Sequence, residues 1–232
     1  MRLDKYLAHV GLGTRKEVKE FIRKSRIQVN GEIIKKEDTK IDENKDTICF
    51  DGQVLSYKKY VYYMLNKPQG VISATFDPHS KTVLDCFDCF LPDDVFPVGR
   101  LDKDTEGLIL ISNDGALAHR LLSLKYHVDK KYYVKCETEI SDEMIDILQK
   151  PIELKDESYQ PGKVERISNH EIYLTIQEGK FHQVKRMVHF AGNEVAFLKR
   201  VAFGSLILDD HLRPGDYREL TKDEIMNLGG QL

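Results

Sequence analysis

The segments predicted as helices and strands do not alternate regularly along this chain, and this irregular order restricts its fold most. Regular alternation would predict a parallel, doubly wound sheet, whereas irregular runs of short strands favour an α+β fold with a largely antiparallel sheet. The predicted strands are Val61–Leu65, Gly107–Ser112, Tyr132–Glu137, Glu171–Gln177 and Phe197–Val201. The predicted helices are Asp114–Ser123, Ser141–Gln149, His182–Ala191 and a C-terminal helix that opens with the capping box Thr221 to Glu224. We therefore expect a mixed sheet flanked by helices.

The first fifty residues follow a different plan, with two short helices and a hairpin. Arg2–Val10 carries apolar residues at helical spacing, and a glycine-rich break ends it. Thr14, with Glu17 three residues later, predicts the N-cap of a second helix. Asn30-Gly31 between two strand-like segments predicts a type I′ turn. These signals predict a small N-terminal domain over residues 1–57 and a larger domain over residues 61–232.

Charge is distributed unequally between these two parts. Residues 1–40 carry eleven Lys or Arg against six Asp or Glu, whereas the rest carries 24 against 32. A compact basic segment ahead of an acidic body predicts a module that binds a polyanion. Steps of three or four residues place several of its cations on one helix face, where they match the spacing of backbone phosphates. The alternative is an ordinary solvated face. We predict RNA contacts from Arg15, Lys16, Lys19, Arg23 and Arg26.

Several classes of protein are disfavoured by the same sequence. The N-terminus lacks the apolar core of a signal peptide, and no run approaches the ~18 apolar residues that cross a bilayer. Four cysteines in a chain of this length do not form a disulfide framework. Cys86 and Cys89 form a C-x-x-C pair, but a structural zinc site requires four ligands. We expect a cytoplasmic protein with ordinary thiols and no metal.

A polar loop with three acids precedes the strongly apolar strand at 108–111. Asp102, Asp104 and Glu106 lie between two glycines, together with Arg100 and Lys103. Flanking glycines indicate a loop that presents its side chains. The residues alone leave three roles open, namely metal binding, action on a glycosidic bond, or capping of the strand. The two cations make metal binding the weakest of these.

Four motifs in the second part of the chain carry a family resemblance. They are M-L-N-K-P-Q-G at Met64–Gly70, G-R-L-D-x-D-T-x-G-L from Gly99, K-x-Y at Lys130–Tyr132 and E-G-K-F-H-Q-V-K-R-M at Glu178–Met187. Their wording and order resemble the RsuA-type family of pseudouridine synthases. Residues 2–48 resemble the alpha-L RNA-binding motif that precedes the catalytic domain in that family. The F-H-Q-V-K-R-M wording and the chain length are most similar to the enzymes of small-subunit (16S) ribosomal RNA.

The resemblance implies an enzyme that isomerises a uridine of ribosomal RNA to pseudouridine without a cofactor or metal. Among the three acids it selects Asp102 as the carboxylate that acts on the sugar, as nucleophile or as base. A carboxylate in a pocket that excludes water needs a nearby cation to stay ionised. The resemblance places Lys185 there, with Arg186 as the second choice. It also implies that Tyr132 stacks on the flipped uracil.

The resemblance further implies RNA contacts in the larger domain. Arg100 is expected to fill the gap left by the flipped nucleotide or to clamp a phosphate. Lys67 is expected to face the substrate from a turn formed by Pro and Gly. Cations at the start of the predicted helix suit phosphate binding; they are Lys180, His182 and Arg186. The family often has Arg at the position of Lys180, so phosphate geometry there can differ.

Alternative functions remain open from the sequence. A noncatalytic RNA-binding or ribosome-assembly protein would use the same basic helix, but it leaves the polar loop around Asp102 unexplained. A glycosidase-like hydrolase would need two carboxylates on either side of the sugar, such as Asp102 and Asp104. Within the family, large-subunit (23S) RNA is the alternative to 16S RNA. Nothing in the sequence requires more than a monomer.

Overall fold

The computed structural model describes residues 1–89 and 91–231, and these form two compact units. One unit comprises Met1–Val61 together with Phe87–Val95. The other comprises Tyr62–Cys86 and Phe96–Leu232, of which Leu232 lies outside the described residues. Within the described part of the chain, no helix is long and apolar enough to span a bilayer.

The N-terminal unit contains two helices and a small antiparallel sheet. Its elements are α1 (Leu3–His9), α2 (Arg15–Arg23), β1 (Ile27–Val29), β2 (Glu32–Ile33), β3 (Ile48–Phe50) and β4 (Gln53–Val54). The sheet order is β2-β1-β3-β4. Thr14 and Glu17 form the expected reciprocal capping box at the start of α2. Asn30 and Gly31 both have positive φ, as a type I′ turn requires.

This unit has a hydrophobic core of its own. Leu3 and Leu7 of α1 pack with Val18 and Ile22 of α2, and all four side chains are fully buried. Ile48 of β3 joins them from the sheet. An independent core of this kind allows the unit to fold as a separate domain.

The larger unit is built on a nine-stranded sheet. Its strands are β5 (Tyr62–Lys67), β6 (Phe96–Val98), β7 (Glu106–Ser112), β8 (Lys130–Cys136), β11 (Lys163–Arg166), β12 (Glu171–Ile176), β13 (Val195–Phe203), β14 (Leu206–Ile207) and β15 (Tyr217–Glu219). A separate pair consists of β9 (Ile152–Glu153) and β10 (Ser158–Tyr159). The helices are α3 (Gly115–Leu122), α4 (Asp142–Leu148), α5 (Gln183–Phe190) and α6 (Lys222–Leu228).

The large sheet is mostly antiparallel, with one parallel pair at its centre. Its main path runs β11-β12-β8-β13-β7-β5-β15, while β14 pairs with β13 and β6 with β7. Only β13 and β7 are parallel among the described strands of this sheet. The predicted α+β class, with a small RNA-binding domain ahead of a mixed sheet and helices, is confirmed.

The two parallel strands approach each other unusually closely at Gly107. This residue has φ of +107°, and a Cβ placed there would lie 2.2 Å from the carbonyl oxygen of Arg200. Only glycine fits, because no side chain can occupy that space and positive φ strains other residues. The position ties the start of β7, and the loop ahead of it, directly to β13.

Two sequence predictions differ from the structure in ways that affect the site. β5 continues to Lys67, so Asn66 and Lys67 belong to a buried strand, and the turn begins only at Pro68. α2 ends at Arg23, and Ser25 adopts a left-handed conformation. Arg26 therefore lies beyond the helix and is not part of its cationic face.

Candidate active site

Hydrogen bonds to its backbone hold the polar loop between β6 and β7 in place. The hydroxyl of Ser73 accepts from the amide of Leu101 and donates to its carbonyl, both at 2.9 Å. The ammonium of Lys67 donates to the carbonyls of Thr105 at 2.8 Å and Lys103 at 3.4 Å. The amide of Gly70 also donates to Lys103. These bonds fix the backbone on both sides of Asp102.

The side chain of Asp102 lies against the first turn of α5. The Nζ of Lys185 is 3.4 Å from its Oδ2, and the Nε2 of His182 is 3.6 Å from its Oδ1. The side chain is 28% exposed, so it is sheltered but remains accessible. Lys185 also donates to Asp104 at 2.6 Å, and this bond lowers the pKa of the Asp104 carboxyl. One ammonium group thus contacts two loop carboxylates.

The segment before α5 is organised by a buried acid. Glu178 pairs with the ammonium of Lys180 at 3.0 Å and accepts from the side-chain amide of Gln183 at 2.9 Å. His182 occupies the N-cap in a left-handed conformation, and its ring stacks on exposed Phe181 with centroids 3.8 Å apart. These contacts place the imidazole beside Asp102, while its side chain stays 42% exposed.

A cavity of about 260 Å³ opens beside Asp102. Alternating residues of a strand share one face, and in this sheet that face supplies the cavity with Lys130 and Tyr132 of β8 and with Leu198 and Arg200 of β13. Tyr132 is 93% buried. The cavity therefore combines a carboxylate, a paired cation and an aromatic ring.

Comparisons with known proteins identify the family in which these cavity residues occur. The family model for RNA pseudouridylate synthase matches residues 61–190, and the S4 domain model matches residues 1–46. The first of these covers more than half of the chain. The chain belongs to the RNA pseudouridylate synthase family.

Individual pseudouridine synthases align with nearly the whole chain. An uncharacterized RNA pseudouridine synthase of Bacillus subtilis is 44% identical, over 97% of each chain. A ribosomal small subunit pseudouridine synthase A of Escherichia coli K12 is 38% identical, over 98% of this chain and 100% of that one. A crystal structure of a pseudouridylate synthase, 37% identical, superposes with a TM-score of 0.69 over 98% of this chain and 99% of that one.

The comparisons confirm the family resemblance and the expectation that this pseudouridine synthase is an enzyme. They also confirm an RNA-binding S4 domain at the N-terminus. The fold class agrees with the solved pseudouridylate synthase. Roles of individual residues remain predictions, which the geometry of this synthase supports to different degrees.

One predicted RNA contact of the synthase is wrong. Lys67 has no exposed surface, and its ammonium donates to the carbonyls of Pro68, Lys103 and Thr105. Burial lowers its pKa to about 8. A side chain enclosed in this way cannot reach an RNA phosphate, so Lys67 supports the loop that carries Asp102 instead.

The remaining predicted contacts divide according to their accessibility. Arg100 is exposed and lines the cavity, as a residue that contacts the flipped nucleotide should. Lys180 also lines the cavity but is paired with Glu178. Arg186 forms a bidentate pair with Asp156 at 2.6 and 2.8 Å and does not line the cavity. Lys185 is therefore the cation beside Asp102, and the second choice, Arg186, is not.

Sequence reasoning missed two buried cations of the cavity, Lys130 and Arg200. Burial lowers the pKa of Lys130 to about 8, and its ammonium donates to the carbonyls of Val128 and Gln177. Arg200 is 98% buried and lies directly opposite Tyr132 in the register of β8 and β13. Lys130 was visible as part of the K-x-Y motif, but nothing local in sequence marked Arg200.

The cationic face of α2 is partly paired within the N-terminal unit. Arg15 contacts Asp93 at 3.1 Å, while Lys19 and Arg23 share Glu37 at 3.2 and 2.6 Å. These side chains are between 39% and 69% exposed, which leaves them available to phosphates. Lys16 is exposed on the same helix.

Arg26, predicted on this face, has a different role. Its guanidinium forms a bidentate pair with Asp51 and lies over the rings of Phe21 and Phe50, at 5.0 and 4.3 Å from their centroids. These contacts connect the end of α2 to the sheet. We correct the placement accordingly: Arg26 is not a member of the helical stripe and packs the small domain together, while its RNA contact, from a side chain that is 39% exposed, stays a prediction.

Proposed function

We propose that this enzyme isomerises one uridine of small-subunit (16S) ribosomal RNA to pseudouridine, with Asp102 as the catalytic carboxylate. The observation that carries the proposal is the position of Asp102 at the mouth of a cavity that also contains Tyr132, with the ammonium of Lys185 3.4 Å away. A carboxylate, its cation and a base-stacking ring are the groups that the reaction requires.

The chemistry assigns a role to each group. The bond between C1′ of ribose and N1 of uracil breaks, the base turns, and a bond from C1′ to C5 forms. The proton on C5 is lost and N1 gains one, so no oxidant or water is consumed. Asp102 reacts with the sugar as nucleophile or base. Lys185 pairs with it and balances its negative charge in the sheltered cavity.

A target uridine inside an RNA stack cannot reach this cavity unless its base is flipped out. In the proposal Tyr132 supplies the face on which the flipped uracil stacks. Arg100, exposed at the cavity, contacts the RNA where the base has left or a neighbouring phosphate. Lys180 and His182 would add positive charge along the same edge.

The N-terminal domain would bind a part of the RNA other than the flipped nucleotide. We place its boundary at residue 57 and assign the catalytic domain to residues 61–232. The compact core within the first 57 residues supports this division. The exposed cations Arg15, Lys16, Lys19 and Arg23 would contact backbone phosphates.

Relatives named ribosomal small subunit pseudouridine synthase A support the 16S assignment, since they align with almost the whole chain. An enzyme of ribosomal RNA would act in the cytoplasm during ribosome biogenesis, on free RNA or on an assembling small subunit. We propose a monomer, since nothing in the sequence requires more than one chain.

The test is chemical mapping of pseudouridine in ribosomal RNA from cells with and without this protein. We expect one pseudouridine to disappear from 16S RNA and to return with the wild-type protein, but not with Asp102→Asn. A site in 23S RNA would refute the small-subunit assignment and retain the chemistry. Restoration by Asp102→Asn would refute the catalytic role of the carboxylate.

A further inference from the structure

Two buried polar atoms of the cavity have no hydrogen-bond partner. They are the hydroxyl oxygen of Thr105 and the Nη2 of Arg200, and both residues line the cavity. Thr105 is 1% exposed and Arg200 is 2% exposed. In the part of the chain described, only one other buried side-chain atom lacks a partner, the Oδ1 of Asn66.

Unpaired polar groups in a protein interior are rare, because burial removes their bonds to water without replacement. When such groups persist in a binding cavity, a ligand that supplies the missing bonds explains them. Thr105 is the last residue of the polar loop before β7, and Arg200 belongs to the neighbouring strand β13. Their convergence on one cavity from two elements indicates a shared ligand.

Both groups are held in fixed positions. The Nε of Arg200 donates to the carbonyl of Leu108 at 2.8 Å, and its guanidinium lies 4.8 Å from the ring centroid of Phe203. The amide of Thr105 donates to the carbonyl of Asp102 at 3.1 Å. The backbone and the Nε of Arg200 are therefore anchored, and only a local opening of the cavity wall is needed for the two unpaired atoms to meet a ligand.

We propose that Arg200 and Thr105 together recognise the imide edge of the uracil ring. Nη2 of Arg200 donates to a ring carbonyl oxygen, and the hydroxyl of Thr105 accepts from the N3–H. The proposal rests on the proposed function and names the residues that select the base. With O4 of uridine as the acceptor for Arg200, cytosine would place its amino group there and set two donors against each other. The Thr105 hydroxyl can rotate and donate to the unprotonated N3 of cytosine, so Arg200 carries the discrimination and Thr105 contributes affinity.

The geometry of the reaction gives this edge a particular advantage. Turning uracil about the axis through N3 and C6 exchanges N1 with C5 and O2 with O4. The N3–H stays in place, and one carbonyl oxygen replaces the other. Arg200 and Thr105 can therefore hold the base in the same way before and after the turn, whereas a contact to N1 or C5 would be lost.

The test uses the full-length protein with two mononucleotide probes, uridine and cytidine 5′-monophosphate. They share ribose and phosphate, so a difference in binding reports the base alone. Ligand-observed NMR titration of the wild type should show uridine monophosphate binding at least tenfold more tightly. Arg200→Lys should reduce this preference to less than threefold, whereas Thr105→Val should weaken the binding of both probes.

Control variants separate recognition from folding. Thr82→Val changes another buried threonine, one that bonds to Asp85 and does not line the cavity, and should keep the preference. Thermal unfolding establishes that each variant is folded; if Arg200→Lys is not, the nearly isosteric Thr105→Val decides. Absent or equal binding of the two probes by the wild type overturns the proposal, as does an unchanged preference in folded Arg200→Lys or an unchanged affinity in folded Thr105→Val.

Failure of the proposed function would look different. Unaltered pseudouridine in ribosomal RNA, together with a retained preference for uridine monophosphate, would refute the ribosomal substrate and leave uracil recognition standing. The converse result, a missing ribosomal pseudouridine with no preference in the cavity, would refute the roles of Arg200 and Thr105 alone.

Discussion

Lys185 contacts two carboxylates, and the surroundings of each determine what it can do. Asp104 is 69% exposed and forms the shorter contact, 2.6 Å, whereas Asp102 is 28% exposed and lines the cavity. An exposed ion pair contributes little to stability. We therefore expect Asp104 mainly to hold the lysine near the loop, and Asp102 to be the acid that meets the substrate.

This division predicts unequal effects of matched substitutions. Asp102→Asn should lower kcat/KM by at least about 10³-fold, the scale of losing an essential catalytic group. Asp104→Asn should cost less than about tenfold, because Lys185 can then pair with Asp102 alone. Tritium release from RNA labelled at C5 of uridine measures both. Equal losses would support a mechanism in which both carboxylates act, as in a glycosidase.

Lys67 offers a second test at the scale of one residue, through pH. Its pKa in the folded protein is about 8, below the 10.5 of a free lysine. The unfolded chain thus binds more protons between these values, and the free energy of unfolding contributed by Lys67 rises with pH from about 8 to about 10.5.

Urea unfolding of wild type and Lys67→Met should show this rise. The difference in unfolding free energy between the two proteins should grow in favour of the wild type as pH increases across that window, with an upper limit of about 3 kcal/mol. A difference that stays constant from pH 7 to 10.5 would show that the pKa of Lys67 is not lowered in the folded protein.

Among the elements, α2 shows what a local sequence pattern can and cannot predict. The capping box at Thr14 and Glu17 and the spacing of Arg15, Lys19 and Arg23 predicted the helix and its cationic face correctly. The same spacing wrongly added Arg26, because periodicity continues in the sequence after the helix has ended. Its pairing with Asp51, 25 residues away, is a long-range contact that no local pattern contains.

The cationic face of α2 should control RNA affinity. Replacing Arg15, Lys19 and Arg23 together with Gln should weaken binding and reduce the slope of log K against log salt by about 2 to 3, since each phosphate contact contributes about 0.7 to 0.9. Filter binding to a 16S RNA fragment from 50 to 300 mM KCl measures the slope. A control with the same loss of charge, Lys45, Lys150 and Lys222 to Gln, should leave it unchanged.

The strands of the larger unit illustrate a different limit. The predicted helices and strands lie within two residues of the observed ends, since apolar periodicity and caps are local signals. The parallel pairing of β13 with β7, and with it the place of Arg200 in the cavity, depends on residues 93 positions apart. The turn signal after Lys67 placed its side chain at the substrate for the same reason, because burial is decided by pairing between distant strands.

For the molecule as a whole, the division into two units predicts independent local stability. Ile22 is fully buried in the core of the small domain. Ile22→Ala should destabilise that domain by about 2 to 5 kcal/mol, by loss of burial and creation of a cavity. Hydrogen exchange should accelerate in residues 1–57, while amides of the central strands β8 and β13 keep their protection.

The matched control is Ile172→Ala, which alters a fully buried side chain of β12 and should accelerate exchange in the larger unit instead. If Ile22→Ala lowered protection equally in both units, the two units would unfold together, and the boundary proposed at residue 57 would not separate two independently stable parts. The assignment of Phe87–Val95 to the smaller unit could not be read from the sequence, where these residues fall within the second domain.

The close approach of β7 and β13 at Gly107 has a consequence for anyone who surveys this enzyme by random substitution. Any side chain there must push the two backbones apart, and the displacement passes directly to the carboxylate loop on one strand and to Arg200 on the other. A mutational scan would then rank Gly107 among the most intolerant positions, beside residues that react with RNA. Intolerance at this position would reflect the short distance between the two strands, and the residue itself contributes no reactive group.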